Sequence, residues 1–265
     1  ADTTGTLTKD EMTVRRILTA DQSVQVTGTG YEPEGEFRSD DQVVEPGPVV
    51  FEMLRAAVLA SDASLVESDG IWEIRGDPTE GALVVAAVKA GLDAGNLRRE
   101  APRIWEIPFE SETKRMTTGH RFDGGSMAYV KGAPEVVLAM CETQLDAAGD
   151  TVPLARDYAL ERAAEFAGDA LRTLGFAYKQ VSVDCEDLLH EDLQGMTFAG
   201  LQGMIDPPRP SAIEAITKCH RAGIRTVMIT GDHPGTALAI ARRLGISTHD
   251  GSPLTGSDIA QMSDD

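Results

Sequence analysis

Cysteine, aromatic residues and positive charge are all scarce in this chain. Its 265 residues include three cysteines. Cys141, Cys185 and Cys219 lie far apart without metal-ligand spacing, which argues against a zinc site and leads us to expect core thiols in a reducing compartment. The histidines His120, His190, His220, His233 and His249 are equally scattered, and each is expected to be surface or structural. Lys and Arg total 24 against 43 Asp and Glu, a formal net charge of -19. That balance argues against nucleic acid or an anionic membrane as partner, because both need clustered cations to displace counterions. No stretch approaches the roughly 18 apolar residues of a bilayer-crossing helix, and the N-terminus lacks a basic-plus-apolar leader. A soluble chain is expected. Its 42% hydrophobic residues suffice for the core of one large or two modest domains.

Periodicity divides the chain into two styles. Apolar alternation from Glu11 to Gly30, broken at Asp21-Gln22-Ser23, predicts two strands, and Phe51, Leu54, Val58 and Leu59 predict a helix over about 50–61. Ile71, Trp72 and Ile74 predict a short strand. Asp77-Pro78-Thr79-Glu80 reads as a helix start, with Asp77 as cap, proline in the first turn and Glu80 placed to reach back; Gly91 stops the helix after about Lys89. Strands follow at 103–108, 114–122 and 126–131, then a helix begun by Pro134. A helix over 156–170, with Leu160, Ala163, Ala164 and Ala167 on its apolar side, precedes a strand at 173–180. From Phe198 onward the pattern becomes strand 198–205, helix 210–222, strand 224–230 and helix 234–244, the rhythm of a doubly wound parallel sheet.

The opening residues, Asp2-Thr3-Thr4-Gly5-Thr6-Leu7-Thr8, place a carboxylate before a Gly/Thr turn. A carboxylate so exposed can attack a phosphoryl group if a cation and nearby donors neutralise the transferred oxygens. Alone, the string is also an ordinary turn. Further motifs follow in order: Gly76-Asp77-Pro78-Thr79-Glu80-Gly81-Ala82-Leu83, Pro108-Phe109, Lys114-Arg115-Met116, Lys131-Gly132-Ala133-Pro134-Glu135, Asp206-Pro207-Pro208-Arg209 and Thr230-Gly231-Asp232. Together with Asp2 to Thr8 they resemble the signatures of P-type ion-pumping ATPases over nearly the whole chain. Gly28-Thr29-Gly30-Tyr31-Glu32-Pro33-Glu34-Gly35 resembles the second class of these pumps, which includes the calcium and sodium pumps. One position departs from the pattern: the family has lysine directly after the phosphorylated aspartate, and here Thr3 removes that fixed charge.

The resemblance implies a fold and a ligand. An α/β nucleotide-binding domain with a mixed or antiparallel sheet, residues 10–206, would be inserted into a partial haloacid-dehalogenase-like doubly wound domain formed by 1–9 and 207–265, with Pro207-Pro208 stiffening the return. ATP or ADP would be held by Glu80, Phe109, Lys114, Lys131, Gly132 and Arg172. Phe109 would stack on the base, Glu80 would accept from the exocyclic amine, and the basic residues would meet phosphate. Each has a plainer alternative: core packing for Phe109, surface solvation for the lysines, helix capping for Glu80 and a helix C-terminal charge interaction for Arg172. Ser111 stands where the family often has a further arginine, which removes one phosphate contact.

Asp2, Thr4, Thr230 and Asp232 carry the catalytic roles in the resemblance, with Asp2 and the carbonyl of Thr4 also contacting Mg2+. For Thr230 and Asp232 the alternative is a capped strand-to-helix turn. The family's later Gly-Asp-Gly-x-Asn-Asp string, source of its main metal aspartates, has no counterpart among these residues. The expectation is an ATP-binding cytoplasmic fragment of a cation-transporting P-type ATPase whose membrane helices lie elsewhere in the parent, binding nucleotide without turnover. Two rivals remain: a self-contained haloacid-dehalogenase-type phosphatase, which needs a second acid where Thr4 stands, and a non-catalytic nucleotide-sensing module.

Overall fold

The computed structural model describes residues 7–9, 11–20, 22–182, 193–230 and 234–247 and the isolated positions 254 and 258. Its centre is a long sheet built from strands distant in sequence. These are β1 (Thr13–Leu18), β2 (Ser23–Val26), β3 (Phe37–Ser39), β4 (Gln42–Val43), β7 (Arg103–Glu110), β8 (Arg115–Phe122), β9 (Gly125–Gly132), β12 (Arg172–Val181) and β13 (Met196–Ile205). They lie in the order β4-β3-β2-β1-β13-β12-β9-β8-β7, and neighbours along this path are antiparallel. Strand β10 (Cys141–Leu145) pairs parallel with β13 and antiparallel with β11 (Thr151–Pro153), which makes the sheet mixed. A separate hairpin joins β5 (Ser64–Ser68) to β6 (Ile71–Arg75).

Helices cover both faces of this sheet. On one lie α1 (Pro48–Leu59) and α2 (Pro78–Lys89), whose buried residues join Ile17, Tyr129, Phe176 and Met204 in one cluster. On the other lie α4 (Pro134–Met140) and α5 (Arg156–Gly168), packed with Val130, Ala177, Leu201 and Ile205. Adjacent residues such as Tyr129 and Val130, or Phe176 and Ala177, therefore feed opposite cores, as alternation along a strand requires. This two-sided burial explains why β13 reads as an almost unbroken apolar run rather than an alternating one.

Local chemistry sets the helix starts. Pro48, Pro78 and Pro134 occupy first-turn positions, where a missing N–H costs no helical bond. Asp77 caps α2 by accepting from the N–H groups of Thr79 and Glu80 at 2.8 and 3.1 Å. Glu80 does not reach back as expected; its carboxylate goes elsewhere. A short helix α3 (Ala94–Glu100), capped by Asp93, has no forerunner in the sequence reading.

Three expectations are corrected. In α5 the core side is Ala159 and Phe166, with Leu160, Ala164 and Ala167 exposed, because the large Phe166 ring fixes which face turns inward. Residues 224–230 form no strand, and Ile229 is 74% exposed: a strand needs a neighbour for its N–H and C=O groups, and none pairs with it among the described residues. Cys219 is only half-buried, whereas Cys141 is a core thiol that burial pushes up to about 12; Cys185 lies outside the described residues. The flanking helices α6 (Pro210–Arg221) and α7 (Pro234–Leu244) form as predicted, and Ile216, Ile240 and Leu244 make a third apolar cluster. No helix among the described residues is long and apolar enough to cross a membrane.

A bulge in β13 lets one strand serve both cores. Phe176 faces Gly200 and Ala177 faces Phe198, so Ala199 is the extra residue. Gly200 sits there at φ +151°, and a Cβ would lie 2.4 Å from the carbonyl oxygen of Leu18. Gly200→Ala is therefore expected to destabilise the fold by about 2–4 kcal/mol, read as a lowered midpoint in urea denaturation.

Candidate functional site

The C-terminal end of α1 gathers cations. A helix leaves its last carbonyls without helical partners, and here they are met by side chains from four other elements. Arg98 of α3 donates to the carbonyls of Val58, Ser61 and Ala63 at 3.2, 3.0 and 2.8 Å. Arg103 of β7 donates to those of Leu59 and Ser61 at 3.3 and 3.1 Å, and to Asp62 Oδ1 and Glu106 Oε2 at 2.5 and 2.6 Å. His120 of β8 faces the carbonyls of Ala101 and Leu59 at 2.8 and 3.1 Å. Lys131 of β9 donates to the carbonyl of Ala60 at 2.5 Å.

Glu80 closes this arrangement from α2. Its Oε1 receives a hydrogen bond from Lys131 Nζ, and its Oε2 accepts from the N–H groups of Asp62 and Ala63 at 2.7 and 2.9 Å. The side chains of Lys131 and Glu80 are only 8% and 12% exposed. Desolvation pulls the Lys131 ammonium below its ordinary value, and the Glu80 charge opposes that pull. Three of the carboxylate's roughly four acceptor directions are thus engaged, and two of the ammonium's three donors. The remaining acceptor direction and the remaining donor have no partner among the described residues.

Beyond this pair the sheet ends in an open surface. Phe109 lies on edge strand β7 with 58% of its surface exposed, so core packing is not its role. Ile107 faces Thr117 and Glu110 faces Arg115, and the irregularity between these pairs puts Phe109 beside Met116, the partner of Lys131. Phe109 and Lys131 thus stand about 10 Å apart, two strand spacings. Lys114 occupies the hairpin turn between β7 and β8 at φ +51°, with its ammonium exposed and 4.0 Å from Glu135.

Gly132 follows Lys131, but the room it leaves is filled by protein. A Cβ there would lie 2.5 Å from the carbonyl oxygen of Lys114, so glycine is required by the approach of β8 rather than by a ligand. Arg172 opens β12, exposed and opposite Met204. Because Gly175 pairs with Gly132 in antiparallel register, Arg172 belongs to the same end of the sheet.

Of the catalytic candidates, only Thr230 falls among the described residues. Thr230 is half-buried at the end of the extended segment, while Asp2, Thr4 and Asp232 lie outside the described residues. No group of three or more His, Cys, Asp or Glu side chains among the described residues could hold a metal ion. Arg98, Arg103 and the paired role of His120 were not foreseen from the sequence. They act on backbone carbonyls, which carry no residue signature.

A mixed sheet covered by helices on both faces defines the class: an α/β domain. The family model described as "P-type ATPase, cytoplasmic domain N" matches residues 50–211, and the chain belongs to that family. It is 43% identical to Cation-transporting ATPase pma1 of Synechocystis sp. over 99% of this chain and 30% of that protein. It is 38% identical to Probable cation-transporting ATPase F of Mycobacterium tuberculosis, over 100% and 30%, and 34% identical to Calcium-transporting ATPase of Bacillus subtilis, over 99% and 30%. The chain thus spans under a third of the length of these relatives.

Two outcomes test the buried pair and its surroundings. Lys131→Met leaves the Glu80 carboxylate uncompensated and is expected to cost about 3–5 kcal/mol, whereas adding Glu80→Gln to it should recover part of that loss in a double-mutant cycle. Burial, the largest influence, holds the His120 imidazole below its ordinary 6.5 against the pull of its two carbonyls. On acidification the unfolded chain is protonated at this residue first, so stability present above about pH 6.5 is lost below it. Denaturation midpoints between pH 7 and 5.5 should fall more steeply in the parent chain than in His120→Gln.

Proposed function

We propose that the end of the sheet bearing Phe109, Lys114, Lys131 and Arg172 binds ATP or ADP. The observation that carries this reading is the exposed Phe109 ring beside cationic side chains in a chain of net charge -19. A purine needs an apolar face, and its phosphates need local positive charge. Phe109 supplies the face. Glu80 Oε1, with one acceptor direction left, accepts a hydrogen bond from the exocyclic amine, and the third donor of Lys131 serves the base edge or a phosphate. Lys114 and Arg172 meet phosphate oxygens from the turn and from the start of β12.

In the parent protein, on this reading, residues 10–206 are a nucleotide-binding domain inserted into a haloacid-dehalogenase-like phosphorylation domain made of 1–9 and 207–265. Support comes from the chain's two crossings, which run side by side: Thr8 and Pro208 form an antiparallel bridge, with Lys9 N–H donating to Pro207 O at 3.0 Å and Arg209 N–H to Leu7 O at 2.8 Å. Asp2 is the phosphoryl acceptor, Thr230 and Asp232 assist, and cation transport is driven through membrane helices of the same polypeptide. The family implies Mg2+, assigned to Asp2 and the Thr4 carbonyl. Both residues lie outside the described ones.

Calorimetric titration with ATP provides the test. Phe109→Ala is expected to weaken binding about tenfold or more, from loss of one stacking face, without lowering stability, because the ring contributes little to the core. Equal affinity in the variant would remove Phe109 from the site. Sustained Mg2+-dependent phosphate release by this chain would overturn the expectation of binding without turnover.

A further inference from the structure

A second concentration of positive charge lies away from Phe109. Arg15 and Arg16 of β1 and Arg242 and Arg243 of α7 line a cleft of about 630 Å³. Asp169 is the single carboxylate among its lining residues. Four arginines therefore line one cleft in a protein whose acidic residues outnumber its basic ones by 43 to 24.

Two of these arginines are held in place by the fold. Arg15 donates to the carbonyl of Gly28 at 2.9 Å, and Arg16 pairs with Asp169 at 2.8 Å while its guanidinium stacks 4.5 Å from the Phe166 ring centroid. Burial, and then the nearby charge of Arg243, disfavour the protonated form of Arg15, so the two strands of charge are close enough to repel. Like charges held together in this way are relieved by an anion, and guanidinium forks match phosphate oxygens in bidentate geometry.

We propose that this cleft is a second anion site, taking a soluble small molecule that carries two or more linked phosphates. The volume suits a ligand of that size. The backbone of the two-proline connection, Pro207-Pro208, lines it between β1 and α7. A bound polyphosphate joins α7 to β1 across that connection and so restrains the α6–α7 segment. The lining residues of this cleft include none of Glu80, Phe109, Lys114, Lys131 or Arg172, the residues proposed to hold nucleotide.

Titration of the full chain with sodium tripolyphosphate tests the proposal. Saturable, salt-sensitive binding is expected, weakened about tenfold or more by Arg243→Glu through loss of charge-assisted hydrogen bonds and unchanged by Phe109→Ala. Arg243 is exposed on its helix, so its variant should keep the parent melting temperature; Arg15→Gln provides a second variant should it not. Absence of saturable binding overturns the proposal. So does binding that survives both arginine variants, or that is lost in Phe109→Ala or Lys114→Ala. Co-sedimentation with phosphatidate vesicles, abolished by Arg243→Glu, would assign the cleft to a lipid headgroup and overturn the soluble ligand; the chain is expected to stay in the supernatant.

Discussion

The structure depends on how the carboxyl end of α1 is satisfied. Its final carbonyls, and those of the loop through Ala63, are taken by Arg98, Arg103, His120 and Lys131, while Glu80 accepts the N–H groups of Asp62 and Ala63. A helix end carries partial negative charge, so the two guanidinium groups and the ammonium there are favourable as well as space-filling. These bonds join α1 to α2, α3, β7, β8 and β9, elements spread over most of the first half of the chain. Glu80 and Lys131 thereby acquire their orientation from a folding requirement before any ligand arrives.

That dual use bears on recognition. A carboxylate and an ammonium held by backbone groups lose little further freedom when a ligand binds, which lowers the entropic cost of association. The open part of the site is different: Phe109 and Lys114 sit on an edge strand and a turn with most of their surface in water. In the proposed site, the part at Glu80 and Lys131 is thus held by the fold, and the part at Phe109 and Lys114 is open to water.

Elements with strong punctuation were legible in the sequence. Prolines at 78, 134 and 210 mark helix starts, and the apolar runs of β8, β9, β12 and β13 match the strands observed, whereas Pro48 read as the end of a loop and in fact opens α1. The short, polar β3, β4, β5, β10 and β11 lack that periodicity and emerge only from their partners. Helix α5 was found but its inward face was not, because one aromatic ring outweighs several alanines. Within the candidate site, residue types and order pointed to Phe109, Lys114 and Lys131. The Lys131–Glu80 contact, spanning 51 positions, could not be read, since which helix lies over which strand is set by the topology and not by spacing. Gly132 was noticed for a ligand's sake, whereas the carbonyl of Lys114 claims the space.

The bridge between Thr8 and Pro208 has a topological consequence. Where a chain leaves and re-enters at adjoining points, everything between is a cassette: it can be lifted out, and the severed ends rejoined, without leaving a gap. On the proposed domain division, the same doubled tether would resist twisting more than bending, so the intervening mass would swing like a leaf on a single pin rather than roam on a loose cord.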